Sequence, residues 1–118
     1  MRTLILGASN NPARYSYMAA HRLVNAGHEI IPVGVKKGEL AGSEIRSTVD
    51  GITEIHTATL YLSQRNQAPY EDFLLQLKPE RVIFNPGTEN PELMEKLIRE
   101  GIDAFEACNL VMLGTGQF

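Results

Sequence analysis

Four short stretches of this chain are polar, small or glycine-bearing in a way that suits the lining of a ligand crevice, and the first of them suits an anion. They are Gly7-Ala8-Ser9-Asn10-Asn11-Pro12 with Arg14 just beyond, Gly34-Val35-Lys36-Lys37-Gly38, Ser63-Gln64-Arg65-Asn66, and Asn85-Pro86-Gly87-Thr88-Glu89. A glycine-led turn of small polar residues frees backbone N–H groups, and a helix starting directly after it adds the positive end of its dipole. The first stretch therefore suits a phosphate, with Arg14 either pairing with it or lying on the surface. Ser9 and Asn10 equally suit the turn itself, because short polar side chains satisfy turn backbone. Lys36 and Lys37 are either ligand cations or solvated loop charges.

Little on the chain points to catalysis. His21, His28 and His56 share no metal-ligand spacing. Neither a Gly-x-Ser-x-Gly elbow nor a His-Glu-x-x-His helix occurs. Glu89 and Glu106 near strand ends are weak grounds for acid–base work, and an enzyme is not the expected reading. The single cysteine, Cys108, reads as a small core residue near a strand end.

The elements that must position these stretches follow from hydrophobic patterning. Thr3–Leu6 is a short apolar run cut off by Gly7, hence a buried strand. A helix over Ser16–Ala26 follows, capped by Ser16, with Ala19, Ala20, Leu23 and Val24 facing the core and Gly27 ending it. Glu29–Val33 is a second strand, and Leu40–Val49, weakly patterned, holds a turn of helix. Ile55–Leu62 reads as a third strand from its β-branched and aromatic residues. Pro69 opens a helix whose buried face is Tyr70, Phe73, Leu74 and Leu77, stopped by Pro79. Arg81–Phe84 is a fourth strand. Asn90 then caps a helix with Pro91 at its first position, a stripe of Leu93, Met94, Leu97 and Ile98, and Gly101 past its end. Its outer side offers the pairs Glu92 to Lys96 and Glu95 to Arg99. Ile102–Ala107 is a fifth strand, and Asn109–Leu113 a last short helix.

Strands alternating with helices imply right-handed crossovers and a parallel sheet covered on both faces. The expected fold is thus a single α/β, Rossmann-like, three-layer domain over residues 1–118, with a five-stranded parallel sheet. In such a sheet ligands bind outside the carboxyl ends of the strands, at the switch point of strand order. The four polar stretches all follow strands and would meet there.

Composition narrows the class. The chain has 118 residues, 43% of them hydrophobic, enough for one core and no second module. A net charge of −3 and a pI of about 5.6 argue against nucleic acid as partner. No apolar run approaches the ~20 residues of a membrane span, and the N-terminus shows no secretory pattern. One cysteine suits a reducing compartment, so a cytoplasmic location is expected. A homodimer is compatible with so small a domain, although no motif marks an interface.

The first turn is not a dinucleotide fingerprint, since Ser9 and Pro12 stand where Gly-x-Gly-x-x-Gly places its later glycines. The second strand leads into Lys36 and Lys37 rather than the carboxylate that holds a free ribose diol. A ribose bearing an extra phosphate fits better. NADP and coenzyme A both have one, and the residues alone do not choose between them. An NADP oxidoreductase would need a proton donor such as a Tyr-x-x-x-Lys pair, which is missing. A third reading is an interaction domain that has lost its ligand.

Several blocks together resemble a known family: Gly7-Ala8-Ser9-Asn10-Asn11-Pro12-x-Arg14-Tyr15-Ser16, Gly27-His28-Glu29-Ile30-Ile31-Pro32-Val33, Asn85-Pro86-Gly87-x-x-Asn90, and Gly101-Ile102 leading to Cys108. They look like the small stand-alone CoA-binding proteins, which are similar in turn to the N-terminal CoA-binding domain of the succinyl-CoA synthetase α subunit. The resemblance implies a module binding coenzyme A or acyl-CoA, non-catalytic by itself, for use by a protein partner. It sets Gly7, Ala8, Ser9, Asn10 and Asn11 against the pyrophosphate or pantetheine, and Val33 with Lys36 or Lys37 against the adenosine and its 3′-phosphate. It makes Leu62 and Ser63 a wall, and Asn85 with Gly87 the floor under the pantetheine arm. The chain departs from the family pattern at Gly34-Val35, where Asn-Pro is common, and at Phe84-Asn85, where Trp or Gln is.

Overall fold

In the computed structural model, which describes residues 1–118, the chain runs β1 (Arg2–Leu6), α1 (Tyr15–Asn25), β2 (Glu29–Val33), β3 (Glu39–Leu40), β4 (Ser43–Glu44), β5 (Thr57–Leu60), α2 (Gln64–Gln67), a 3₁₀ turn (Ala68–Tyr70), α3 (Glu71–Leu77), β6 (Arg81–Phe84), α4 (Pro91–Arg99), β7 (Asp103–Glu106) and α5 (Asn109–Gly114). Five strands form one parallel sheet in the order β2-β1-β5-β6-β7. The chain leaves β1 to one side for β2 and returns to the other side for β5, so the switch point lies between β1 and β5. This is the α/β Rossmann-like arrangement expected.

Alternate strand residues serve two cores. Leu4, Leu6, Ile31, Val33, Ala58, Leu60, Val82 and Phe84 pack with Leu74 of α3 and with Leu93 and Leu97 of α4. Ile5 and Ile30 face the opposite way, onto Ala20 and Leu23 of α1. Both faces of the sheet are covered, which is why its central strands are nearly continuous apolar runs. Pro32 sits in β2, an edge strand, where a missing N–H costs no ladder bond. Part of that edge is covered by the Val33–Arg46 bridge, with Arg46 N–H donating to Pro32 O and Gly34 N–H to Arg46 O.

Several expected boundaries move, each for a local reason. The stretch expected to hold a helical turn, Leu40–Val49, instead contains the β3–β4 hairpin. Ala41 and Gly42 are both at positive φ, the two-residue turn that matches strand twist. Helix α1 opens at Tyr15, so Ser16 lies buried in its first turn and caps nothing; Arg14 holds the capping position without a side-chain bond. The helix expected from Pro69 begins earlier, at Gln64, and Pro69 falls in the 3₁₀ turn before α3. Lys78, in the left-handed region, ends α3 before Pro79 is reached. The third and fifth strands are shorter than expected, Thr57–Leu60 and Asp103–Glu106. Val24 and Ile98, placed in core stripes by spacing, are exposed on the shoulders of α1 and α4. Asn90 does cap α4, accepting from Leu93 N–H at 3.2 Å. Of the two outer pairs, Glu95–Arg99 forms, while Lys96 reaches Glu71 at 3.3 Å rather than Glu92.

Candidate functional site

The carboxyl ends of β2, β1, β5 and β6 open into one crevice of about 530 Å³, within the usual ~300–1,000 Å³ of small-molecule sites. Of the thirteen candidate residues, eleven line it: Gly7, Ala8, Ser9, Asn10, Asn11, Arg14, Val33, Lys36, Leu62, Ser63 and Gly87. Lys37 lies outside the lining, on the exposed side of its loop. Asn85 is buried beneath the floor, its amide donating to Thr59 Oγ1 at 2.7 Å and Leu60 O at 3.0 Å, and its oxygen accepting from Asn109 N–H at 2.9 Å. It stitches β5, β6 and α5 together rather than facing the crevice.

The first turn is shaped by close approach. Gly7 and Ala8 both donate to Val33 O, at 3.0 and 2.9 Å, which bends the chain off the end of β1. Gly7 sits at φ +91°, and a Cβ there would lie 2.9 Å from the Tyr61 carbonyl carbon. A Cβ on Gly34 would come within 2.2 Å of Ala8 O. Glycine at 34 is thus what lets the loop after β2 lie directly on the first turn. Asn10 completes the contact by lying over Gly38.

Within this turn some donors are spent and others are not. Asn11 N–H bonds Ser9 Oγ at 3.1 Å, Ala13 N–H bonds Asn11 Oδ1 at 3.0 Å, and Arg14 N–H bonds Asn11 O at 3.0 Å. The N–H groups of Ser9, Asn10, Tyr15 and Ser16 make no hydrogen bond within the chain. Helix α1 starts without a side-chain cap and without an acidic residue in its first turn, and it points its positive end into the crevice. Arg14 and Lys36 line the same crevice, so free amides, helix dipole and cations share it.

The opposite end differs. Thr88 donates through both its N–H and its hydroxyl to Asn85 O, at 3.0 and 2.8 Å. Gly87 N–H is held by the Glu89 carboxylate at 3.0 and 3.2 Å. Beneath, the buried Gln67 amide donates to Thr88 O at 2.6 Å and Leu62 O at 2.9 Å, and its oxygen accepts from Asn90 at 2.9 Å. This network locks floor to wall.

Residues outside those thirteen also line the crevice, among them Gly34, Val35 and Thr88 of the expected loops and Tyr15, Tyr61 and Tyr70. Tyr15 and Thr88 lie inside motifs already noted, whereas Tyr61 and Tyr70 had only strand and helix patterning to mark them. Burial pushes the Tyr61 phenol above its usual pKa. The Thr59 hydroxyl is engaged by Asn109 and Asn85, and the Tyr61 oxygen has no hydrogen-bond partner. No group of three or more His, Cys, Asp or Glu side chains comes together that could hold a metal ion. No helix is long and apolar enough to cross a membrane.

Comparison with known proteins matches residues 1–114 to a family model described as a CoA binding domain. A solved structure described as an uncharacterized protein is 51% identical, with a TM-score of 0.96 over 99% of this chain and 97% of that one. A Thermus thermophilus protein shares the fold at 22% identity and a TM-score of 0.87, covering 99% of this chain and 90% of its own. The dinucleotide-forming acetyl-coenzyme A synthetase 1 of Ca. Korarchaeum cryptofilum shares it at 18% identity and a TM-score of 0.70. That match covers 92% of this chain but 25% of the synthetase. Among curated proteins, none matches the chain.

Proposed function

The chain belongs to the CoA-binding domain family, and from that premise we propose that it is a single-domain module that binds coenzyme A or an acyl-CoA in the crevice at the carboxyl edge of its sheet. The phosphates lie on the first turn against the Ser9 and Asn10 amides, the start of α1 and Arg14. The adenosine and its 3′-phosphate lie toward Val33 and Lys36, and the pantetheine arm runs past Leu62 and Ser63 to Gly87. The module performs no chemistry alone. It holds the cofactor in the cytoplasm, as monomer or homodimer, for a protein partner, and has no role on nucleic acid or membranes.

One observation carries this reading: the unspent N–H groups of Ser9, Asn10, Tyr15 and Ser16 lie beside Arg14 and Lys36 in a single crevice. Backbone donors left free beside cations favour a polyanion. Thermal unfolding of nucleotide-stripped protein with CoA, 3′-dephospho-CoA, NADP and NAD tests it. A ligand at about 100 times its Kd adds about 2.7 kcal/mol, on the order of 10 °C for a domain this size. The expected result is a shift with CoA that shrinks with dephospho-CoA. A larger shift with NADP would replace the ligand, and none with any of the four would leave an interaction domain.

A further inference from the structure

The two ends of the crevice are built with opposite preferences for charge, and the strand order sets how far apart they lie. The loop after β2 carries Lys36, and the loop after β6 carries Gly87 and Glu89; β2 and β6 are three strand spacings apart, roughly 14 Å. A ligand whose phosphates sit at the cationic end can extend only across β1 and β5 toward the β6 loop. There it meets no free hydrogen-bond donor on residues 86–88, the crevice-lining part of that loop, while Asn85 lies buried beneath it. Pro86 has no N–H, Gly87 N–H is taken by Glu89, Thr88 N–H and hydroxyl are taken by Asn85 O, and the Asn85 amide is turned inward to Thr59 and Leu60. The one charge on this loop is the Glu89 carboxylate, on an exposed residue and held against a glycine that lines the crevice.

We infer that Glu89 is a specificity-determining residue that makes the thiol end of the crevice accept free CoA or an uncharged acyl group and reject an acyl group ending in a carboxylate. The inference rests on the CoA reading of the same crevice. A terminal carboxylate arriving beside Gly87 finds its natural donor already occupied by another carboxylate. It must then displace Glu89 or remain within a few ångströms of it, and like charges at about 5 Å oppose binding by a factor on the order of ten at partly exposed sites. Glutamine at this position keeps an oxygen that accepts from Gly87 N–H, so Glu89→Gln removes the charge and leaves the loop its bond.

Isothermal titration of the full chain with CoA, acetyl-CoA and malonyl-CoA decides the matter, for wild type and Glu89→Gln. The expected result is that wild type binds acetyl-CoA about tenfold more tightly than malonyl-CoA, that the ratio narrows at higher salt, and that it falls to about twofold in Glu89→Gln. Equal affinities in wild type, or a ratio the variant leaves unchanged, would overturn the inference while CoA binding itself stands. Failure of wild type to bind any of the three would overturn the inference together with the CoA reading.

Discussion

Helix α1 begins at the crevice and helix α4 follows the loop that closes its other end, and the chain treats their N-termini in opposite ways. Helix α4 is finished internally: Asn90 accepts from Leu93 N–H, Pro91 fills the first position without a donor, and Glu92 complements the dipole. Helix α1 is left open, with Arg14 at the capping position, no acidic residue in the first turn and its leading N–H groups unspent. A helix of eleven residues gains about 1 kcal/mol from a capping side chain. Forgoing it, with an arginine where an acceptor would stabilise, marks the α1 end as complementary to something outside the protein. The α4 end is complementary to itself. On the proposed reading, local stability and ligand affinity are thus separated onto two loops, those after β6 and β1.

The largest disturbance of this contrast is expected from Gly34→Ala. The added Cβ would meet Ala8 O at 2.2 Å, and neither atom belongs to a flexible side chain, so the loop after β2 must lift off the first turn. Overpacking of this kind costs about 2–3 kcal/mol, roughly 10 °C in melting temperature for a domain this size. Lys36 would move away from the Ser9 and Asn10 amides, and CoA binding should fall below detection. Gly87→Ala, at the self-satisfied end, meets no atom within 4 Å and bears only the strain of its φ of +92°, about 1 kcal/mol. Melting curves with and without CoA compare the two. Similar losses in both variants would break the idea that the first turn is positioned by the loop after β2.

A middle-sized effect comes from exchanging the treatment of the two helix starts. Arg14 already has the extended backbone of a capping residue, φ −92° and ψ 143°, so Arg14→Asp supplies α1 with the acceptor it lacks. The free protein should gain about 1 kcal/mol, near 4 °C, while CoA affinity drops at least about tenfold, because a cation is lost and the helix start is filled by a carboxylate. Asn90→Ala should act in reverse. It removes the α4 cap and strands the Gln67 oxygen, lowering stability by about 2 kcal/mol with a smaller effect on CoA affinity. If Arg14→Asp failed to stabilise the free protein, the open α1 start would not be a sacrifice of stability for binding.

Much of this was legible in the chain because the signals were local. Gly7, Asn90-Pro91 and the alternation of apolar runs with amphipathic stretches fix turn, cap and layer order through short-range geometry, and four strand-end loops follow from that order. What escaped was set by distant contacts. That position 34 must be glycine depends on Ala8 O, and the burial of Asn85 depends on Thr59, Leu60 and Asn109. The hairpin at Glu39–Glu44 was hidden because an alanine occupies one of its two positive-φ positions. Ser16 looked like a cap by residue type, but the turn bonds made by Asn11 start the helix one residue earlier.

The pair Lys36-Lys37 gives the finest test, because sequence leaves the two side chains equivalent and the fold does not. Both are exposed, yet only Lys36 lines the crevice. An exposed cation near a phosphate contributes on the order of 1 kcal/mol or less, so Lys36→Ala should weaken CoA binding about fivefold. Lys37→Ala, which removes the same charge a residue further out, should stay within about twofold. Salt must be held constant, because screening beyond about 8–10 Å erases whatever Lys37 contributes at long range. Running both variants against 3′-dephospho-CoA locates the effect: the Lys36→Ala penalty should vanish if Lys36 meets the 3′-phosphate, and persist if it meets the pyrophosphate with Arg14. Equal penalties for the two lysines would mean that the loop acts as a diffuse charge, and the contrast between the crevice ends would then rest on the α1 amides and Arg14 alone.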